Sequence, residues 1–131
     1  MTVASLEERD SRTFDIRVAG SGALLVAKLH KIADRSTDRR RRSDKDAMDI
    51  LRLLRGVTTV ALAASVRELL MDGRSAEVAA EALQHLERLF GSAAAEGSQM
   101  AARSAELLEN AAEIAASCTA LAGDLLAALQ P

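Results

Sequence analysis

The sequence predicts a mainly α-helical fold, with about five helices in a bundle and one short N-terminal β-strand. The chain has 131 residues, of which 49% are apolar, which is enough for one domain with one core. Its aromatic residues are Phe14 and Phe90, so the core must be built from aliphatic side chains, as in packed helices. Apolar residues also recur at spacings of three and four along most of the chain.

The N-terminal part is predicted to contain an arm and a strand. Residues 1–12 are polar and lack periodicity, which predicts a flexible arm. From Thr13 to Val18 polar and apolar residues alternate, which places Phe14, Ile16 and Val18 on one face of a strand. Because a lone strand leaves its backbone groups unpaired, we expect it to pair with the arm, a second copy or a missing part of a larger protein.

Residues 13–91 are predicted to form the strand and a helical domain of four helices. The helices span about residues 22–35, 44–55, 59–71 and 76–90, as judged from apolar stripes and capping residues. The predicted N-caps are Ser21, Ser43 or Asp44, Thr58 or Thr59, and Ser75. In the third helix the residues at helical spacing include Val60, Ala63, Ala64, Leu70 and Met71.

Residues 98–131 are predicted to contain one long C-terminal helix. Between Leu107 and Leu125 apolar residues alternate steps of four and three, which is typical of a coiled-coil seam. The seam could pack on the same domain or on a second copy. Cys118 lies in it and is interpreted as a small buried apolar residue, because nothing ties either histidine to it as the base that a nucleophile needs.

Charge and hydropathy narrow the classes of function. The formal net charge is −2, so the whole chain has no general attraction for nucleic acid. The N-terminus lacks the pattern of a signal peptide, and no apolar run approaches the ~20 residues that a membrane-spanning helix needs. We therefore expect a cytoplasmic protein.

Basic and acidic residues concentrate around the turn between the first two helices. Two helices joined by a short turn run roughly antiparallel, so the end of one lies near the start of the next. This brings Lys31, Arg39, Arg41 and Lys45 near a helix N-terminus, an arrangement that suits a phosphate group.

Lys28 on the first helix and Asp46 and Asp49 on the second belong to the same candidate site. A purely structural interpretation is also open, in which the aspartates pair with Lys28, Lys31 or Lys45. The arginine run would then be a solvated loop.

Several segments carry a family resemblance. They read Phe14-Asp-Ile-Arg-Val-Ala-Gly, Ala23-Leu-Leu-Val-Ala-Lys-Leu-His-Lys-Ile, Lys45-Asp-Ala-x-Asp-Ile-Leu-Arg-Leu-Leu and Ala82-Leu-x-x-Leu-x-x-Leu-Phe-Gly. Together they resemble the C-terminal helical part of actinobacterial nucleotidyltransferase-like proteins related to the AbiEii toxins of abortive-infection, or toxin–antitoxin, systems. The resemblance covers roughly residues 13–91.

The resemblance implies a role for individual residues. Lys28 matches the helix lysine of the family, and Lys45, Asp46 and Asp49 match its basic–acidic motif. It implies nucleotide-phosphate contacts for the lysines and a supporting role for the aspartates.

The sequence departs from the family in one respect that concerns catalysis. A nucleotidyltransferase has a Gly-Ser turn followed by an Asp-x-Asp strand that holds magnesium for phosphoryl transfer. Here Gly20-Ser21-Gly22 is followed by a helical pattern without that strand. We therefore expect a truncated or degenerate helical lobe that is inactive alone and needs no cofactor. Magnesium and a nucleoside triphosphate are expected only if a partner protein supplies the missing half.

Two other functions remain open. The chain could be a non-catalytic interaction module, forming a homodimer through the strand or the C-terminal helix. It could also bind nucleic acid weakly through residues 39–42, although it lacks stacking aromatics and its net charge is negative.

Overall fold

The computed structural model describes residues 20–34, 40–105 and 110–130. Six helices make up most of this part of the chain, which contains no strand. They are α1 (20–33), α2 (Arg40–Gly56), α3 (Thr59–Met71), α4 (Ala76–Phe90), α5 (Glu96–Ala105) and α6 (Ala111–Ala128). The mainly helical class is therefore confirmed, while the predicted arm and the strand at residues 13–18 lie outside the described residues.

The boundaries of the first two helices differ from the prediction. Ser21 is buried inside α1 and is not its N-cap. Helix α2 begins at Arg40, so Ser43 and Asp44 lie within it and part of the arginine run belongs to its first turn. Good helix formers such as arginine extend a helix readily when the following turns are already packed.

The next two helices begin at their predicted N-cap residues, but only one of these residues caps its helix through the side chain. Thr58 is the N-cap of α3, and its hydroxyl oxygen accepts a hydrogen bond from the backbone N–H of Ala61 at 3.2 Å. Ser75 is the N-cap residue of α4, but its hydroxyl makes no capping hydrogen bond and donates to the carbonyl oxygen of Leu69 at 2.7 Å. This bond ties the turn between α3 and α4 to the end of α3.

The single C-terminal helix that the sequence predicts is two helices in the structure. Asn110 has extended backbone angles, with φ −68° and ψ 123°, and its side chain accepts a hydrogen bond from the N–H of Glu113 at 3.1 Å. Asparagine is a strong N-cap because its side chain replaces a helical hydrogen bond. Helices α5 and α6 pack against each other, and α5 also packs extensively on α2.

One hydrophobic core joins all six helices. Fully buried side chains at its centre include Leu29, Leu51, Leu86, Phe90, Met100 and Cys118. The seam residues Ile114, Cys118 and Leu125 are buried in the core of their own chain. For these residues the structure therefore shows packing within the same domain. Burial raises the pKa of the Cys118 thiol to about 11, in agreement with its interpretation as a buried apolar residue.

Helix α1 crosses α3 at very short range. The backbone N–H of Gly22 donates to the Ser65 hydroxyl oxygen at 2.9 Å. A Cβ atom at Gly22 would lie 2.6 Å from that oxygen and 2.9 Å from the backbone nitrogen of Val66. The absence of a side chain at Gly22 therefore fixes how closely α1 approaches the bundle.

Helix α6 is the one helix in the described ranges that is long and apolar enough to cross a membrane, by length and composition alone. Five of its residues lie in the protein core: Ile114, Ala115, Cys118, Ala122 and Leu125. These five residues are 28% of the helix, so burial in the core covers only part of its apolar composition.

Candidate functional site

A cluster of ion pairs joins α1 to α2. The Lys28 ammonium lies 3.0 Å from Asp46 Oδ1 and 3.1 Å from Asp49 Oδ2. Asp46 and Asp49 are three residues apart on α2, so both point toward the same side of that helix. The structure thus brings together three residues that the sequence analysis assigned to one site.

Asp46 is the most buried charged group of the cluster, with 8% of its side chain exposed. It accepts from Lys28 and also contacts Lys31, whose Nζ lies 3.3 Å from Asp46 Oδ2. A carboxylate that has lost most of its water is stable as an anion only when cations or donors surround it. Two lysines from α1 provide this compensation.

The same contacts favour the charged form of Lys28. Its hydrogen bond to Asp46 has the largest effect and raises the pKa of Lys28, burial has the next largest and lowers it, and the bond to Asp49 raises it again, so that the pKa is raised overall. The ammonium uses two of its three N–H donors in these bonds, and 23% of the side chain remains exposed. Lys28 is therefore a fixed cation with a donor left over.

Arg52 belongs to this cluster, although the sequence analysis did not single it out. Its Nη1 donates to Asp49 Oδ1 at 3.1 Å, one helical turn further along α2. The spacing of three residues on one helix could have indicated it. Lys28, Lys31 and Arg52 thus surround two carboxylates, which leaves one positive charge in excess.

The remaining predicted site residues are not among the partners in the ion pairs described above for the cluster. Lys45 is exposed on α2 beside Asp46. Arg41 lies in the first turn of α2, and Arg39 lies outside the described residues. Asp44, which was predicted as a possible N-cap and not as a site residue, pairs with α5, since both of its carboxylate oxygens accept from Arg103, at 2.9 and 3.3 Å.

The chemistry open to this cluster is the positioning of an anion. Its exposed donors, on Lys31 and Arg52, can bind phosphate or carboxylate oxygens, and Lys28 is held in place by two aspartates. Within the described ranges, no group of three or more histidine, cysteine or acidic side chains could hold a metal ion.

Comparison of the chain with protein-family models, with curated proteins and with solved structures found no match. The resemblance to nucleotidyltransferase-like proteins therefore stays a prediction made from the sequence.

Proposed function

We propose that the chain is the helical lobe of a nucleotidyltransferase-like protein, inactive alone, which contacts the phosphate groups of a nucleotide together with a complementary catalytic lobe. The observation that carries the proposal is the pairing of Lys28 with Asp46 and Asp49 across α1 and α2. These are the residues for which the resemblance implies a phosphate-binding lysine and its supporting acids.

The aspartates give Lys28 a defined position. A free lysine side chain loses much rotamer entropy when it binds a ligand, about 1.5–2 kcal/mol. Contacts with two carboxylates remove that freedom beforehand, so the ammonium is ready to meet a phosphate oxygen with its third donor. Lys31, whose side chain is 58% exposed, offers a second cation beside it.

The segment that superficially matches a Gly-Ser turn supports the expectation of inactivity alone. Gly20, Ser21 and Gly22 lie inside α1, and Gly22 is packed against Ser65 of α3. Gly20 is exposed, but Ser21 and Gly22 are buried, so α3 occupies the space beside Gly22 that a phosphate group would need. In our proposal the magnesium ligands and the Gly-Ser turn come from the partner lobe.

The test is calorimetric titration of a magnesium nucleoside triphosphate into the chain mixed with the protein encoded beside it. We expect Lys31→Ala and Lys28→Met to weaken binding at least several-fold. The matched control is Arg74→Ala, which removes an exposed cation that pairs only locally with Asp72. Binding that is unchanged in both lysine variants, or absent from the mixture, would contradict the proposal.

A second candidate is a structural clamp, because the same ion pairs also hold α1 on α2. Removal of Lys28 leaves the buried Asp46 with Lys31 alone. We expect Lys28→Met to cost about 1–3 kcal/mol, below the 3–5 kcal/mol typical of fully buried pairs, since both lysines keep contact with water. If Lys28→Met lowers the free energy of unfolding and Lys31→Ala leaves nucleotide binding intact, the clamp is the better description.

A further inference from the structure

The two histidines of the chain, which lie far apart in the sequence, contact each other in the fold. His30 is on α1 and His85 is on α4. Their ring centroids are 5.2 Å apart and the rings are nearly perpendicular, at 88°. This edge-to-face pair lies where the last turn of α1 meets α4.

The partners of each ring determine where its hydrogens are. His30 Nε2 lies 2.8 Å from the carbonyl oxygen of Val78, and because a carbonyl only accepts, this nitrogen must carry a hydrogen. His85 Nδ1 lies 3.2 Å from Arg88 Nη2, and because a guanidinium only donates, this nitrogen must be unprotonated. His85 is therefore neutral, with its hydrogen on Nε2.

We propose that this contact is an acid-sensitive clamp, in which protonation of His85 loosens α1 from α4. A proton on His85 Nδ1 removes the acceptor for Arg88 and places two cations 3.2 Å apart. The protonated ring of His85 also lies against the ring of His30, whose Nε2 already donates to the carbonyl oxygen of Val78 on α4. Protonated His30, by contrast, keeps its donor toward Val78, so His85 is the sensitive member of the pair.

The charges around His85 agree with this assignment. Burial lowers the pKa of His85, and Arg88 and His30 lower it further, while Glu81 one turn earlier on α4 acts in the opposite direction. The unfolded chain therefore takes up the proton first as the pH falls. The stability that His85 contributes is complete above its ordinary pKa of about 6.5 and is lost as the pH falls through the lower pKa of the folded state.

The clamp has a structural consequence for its neighbours. Helix α1 carries Lys28 and Lys31 as well as His30, so a loosened α1 changes the position of the candidate site. The clamp does not depend on the proposed function, because it rests on the contacts of His30 and His85 with each other, with Val78 and with Arg88.

Two measurements on the full chain test the clamp. The first follows both imidazole signals by NMR during a pH titration, with His30→Gln used to assign them. The second compares hydrogen exchange of residues 20–33, corrected for intrinsic rates, at about pH 7.5 and about pH 5.5, on either side of the ordinary histidine pKa. His85→Asn keeps an acceptor for Arg88 without titrating, and His30→Gln keeps a donor for Val78 and is the matched control.

We expect His85 to titrate below 6.5. Acid should speed exchange in residues 20–33 of the wild type and of His30→Gln, and leave His85→Asn unaffected. Arg88→Gln should raise the pKa of His85, which tests the clamp even if His85→Asn folds poorly. Titration of His85 at or above its ordinary pKa, or an acid response of α1 that persists in His85→Asn, would overturn the proposal.

Discussion

The close crossing of α1 and α3 gives a prediction whose sign opposes the usual effect of the substitution. In an exposed position inside a helix, Gly→Ala stabilises a protein by about 1 kcal/mol, because alanine has the higher helix propensity. At Gly22 the added Cβ would lie 2.6 Å from the Ser65 hydroxyl oxygen and 2.9 Å from two backbone atoms of α3. The hydroxyl can turn away, but the backbone of α3 cannot.

The magnitude follows from three contributions. Overpacking costs about 1–3 kcal/mol, and loss of the hydrogen bond from Gly22 to Ser65 costs a further 0.5–1.5 kcal/mol or so. The gain in helix propensity offsets about 1 kcal/mol. We therefore expect Gly22→Ala to lower the free energy of unfolding by about 1–3 kcal/mol, which corresponds to about 3–5 °C in Tm for each kcal/mol in a chain of this size.

The assay is urea unfolding followed by far-UV circular dichroism, with Gly123→Ala as the matched control. Gly123 lies in α6, and a Cβ there would have no atom within 4 Å, so this variant should gain about 0.5–1 kcal/mol. If Gly22→Ala is as stable as the wild type, the close approach of α1 to α3 is wrong. If Gly123→Ala loses as much as Gly22→Ala, the loss does not report on the crossing.

Two further predictions concern other parts of the fold. Native Cys118 should react with iodoacetamide far more slowly at about pH 8 than the same thiol in urea, because burial raises its pKa to about 11; equal rates, measured by mass spectrometry, would show that the thiol is accessible. Arg103→Met should lower the free energy of unfolding by only about 0.2–1 kcal/mol, because its bidentate pair with Asp44 lies near the surface. High salt should shrink that difference, and a salt-independent loss of several kcal/mol would mean that Arg103 acts mainly through packing.

The sequence predicted the helices with strong capping or periodicity signals. The start of α3 at Thr58 follows from a threonine placed before an apolar periodic run. The break before α6 had a local signal too, since Asn110 is followed three residues later by Glu113, the spacing of a capping box. The apolar seam continues through this point, so periodicity predicts one uninterrupted helix where the cap at Asn110 begins a new one.

The buried face of α3 could not be chosen from periodicity alone. Apolar residues occur on every side of this helix, so several stripes fit the helical spacing equally well. Of the residues predicted at helical spacing, Val60 and Met71 are 80% and 82% exposed, whereas Ala63 is buried beside Leu62 and Val66. Packing against the neighbouring helices determines which side of α3 is buried, and this packing depends on the arrangement of the whole bundle.

The candidate site was predictable to the extent that it depends on two adjacent helices. Lys28, Asp46 and Asp49 come together because a short connection folds α2 back on α1. The contact between His30 and His85 had no such signal, because it joins elements that are distant in the sequence and depends on how α4 packs. Long-range contacts of this kind have no local periodicity that reveals them.

The packing of α5 on α2 has a consequence for how the chain folds during synthesis. The bridge between Asp44 and Arg103 joins residues 59 positions apart, with α3 and α4 between them. A ribosome releases the chain from its N-terminus, so the face of α2 that α5 covers stays open to water until α5 has emerged. During that interval the apolar side chains of α2 that contact α5 are available to chaperones or to other nascent chains. Because α6 also packs on α2, this helix is fully covered only after α5 and α6 have both emerged.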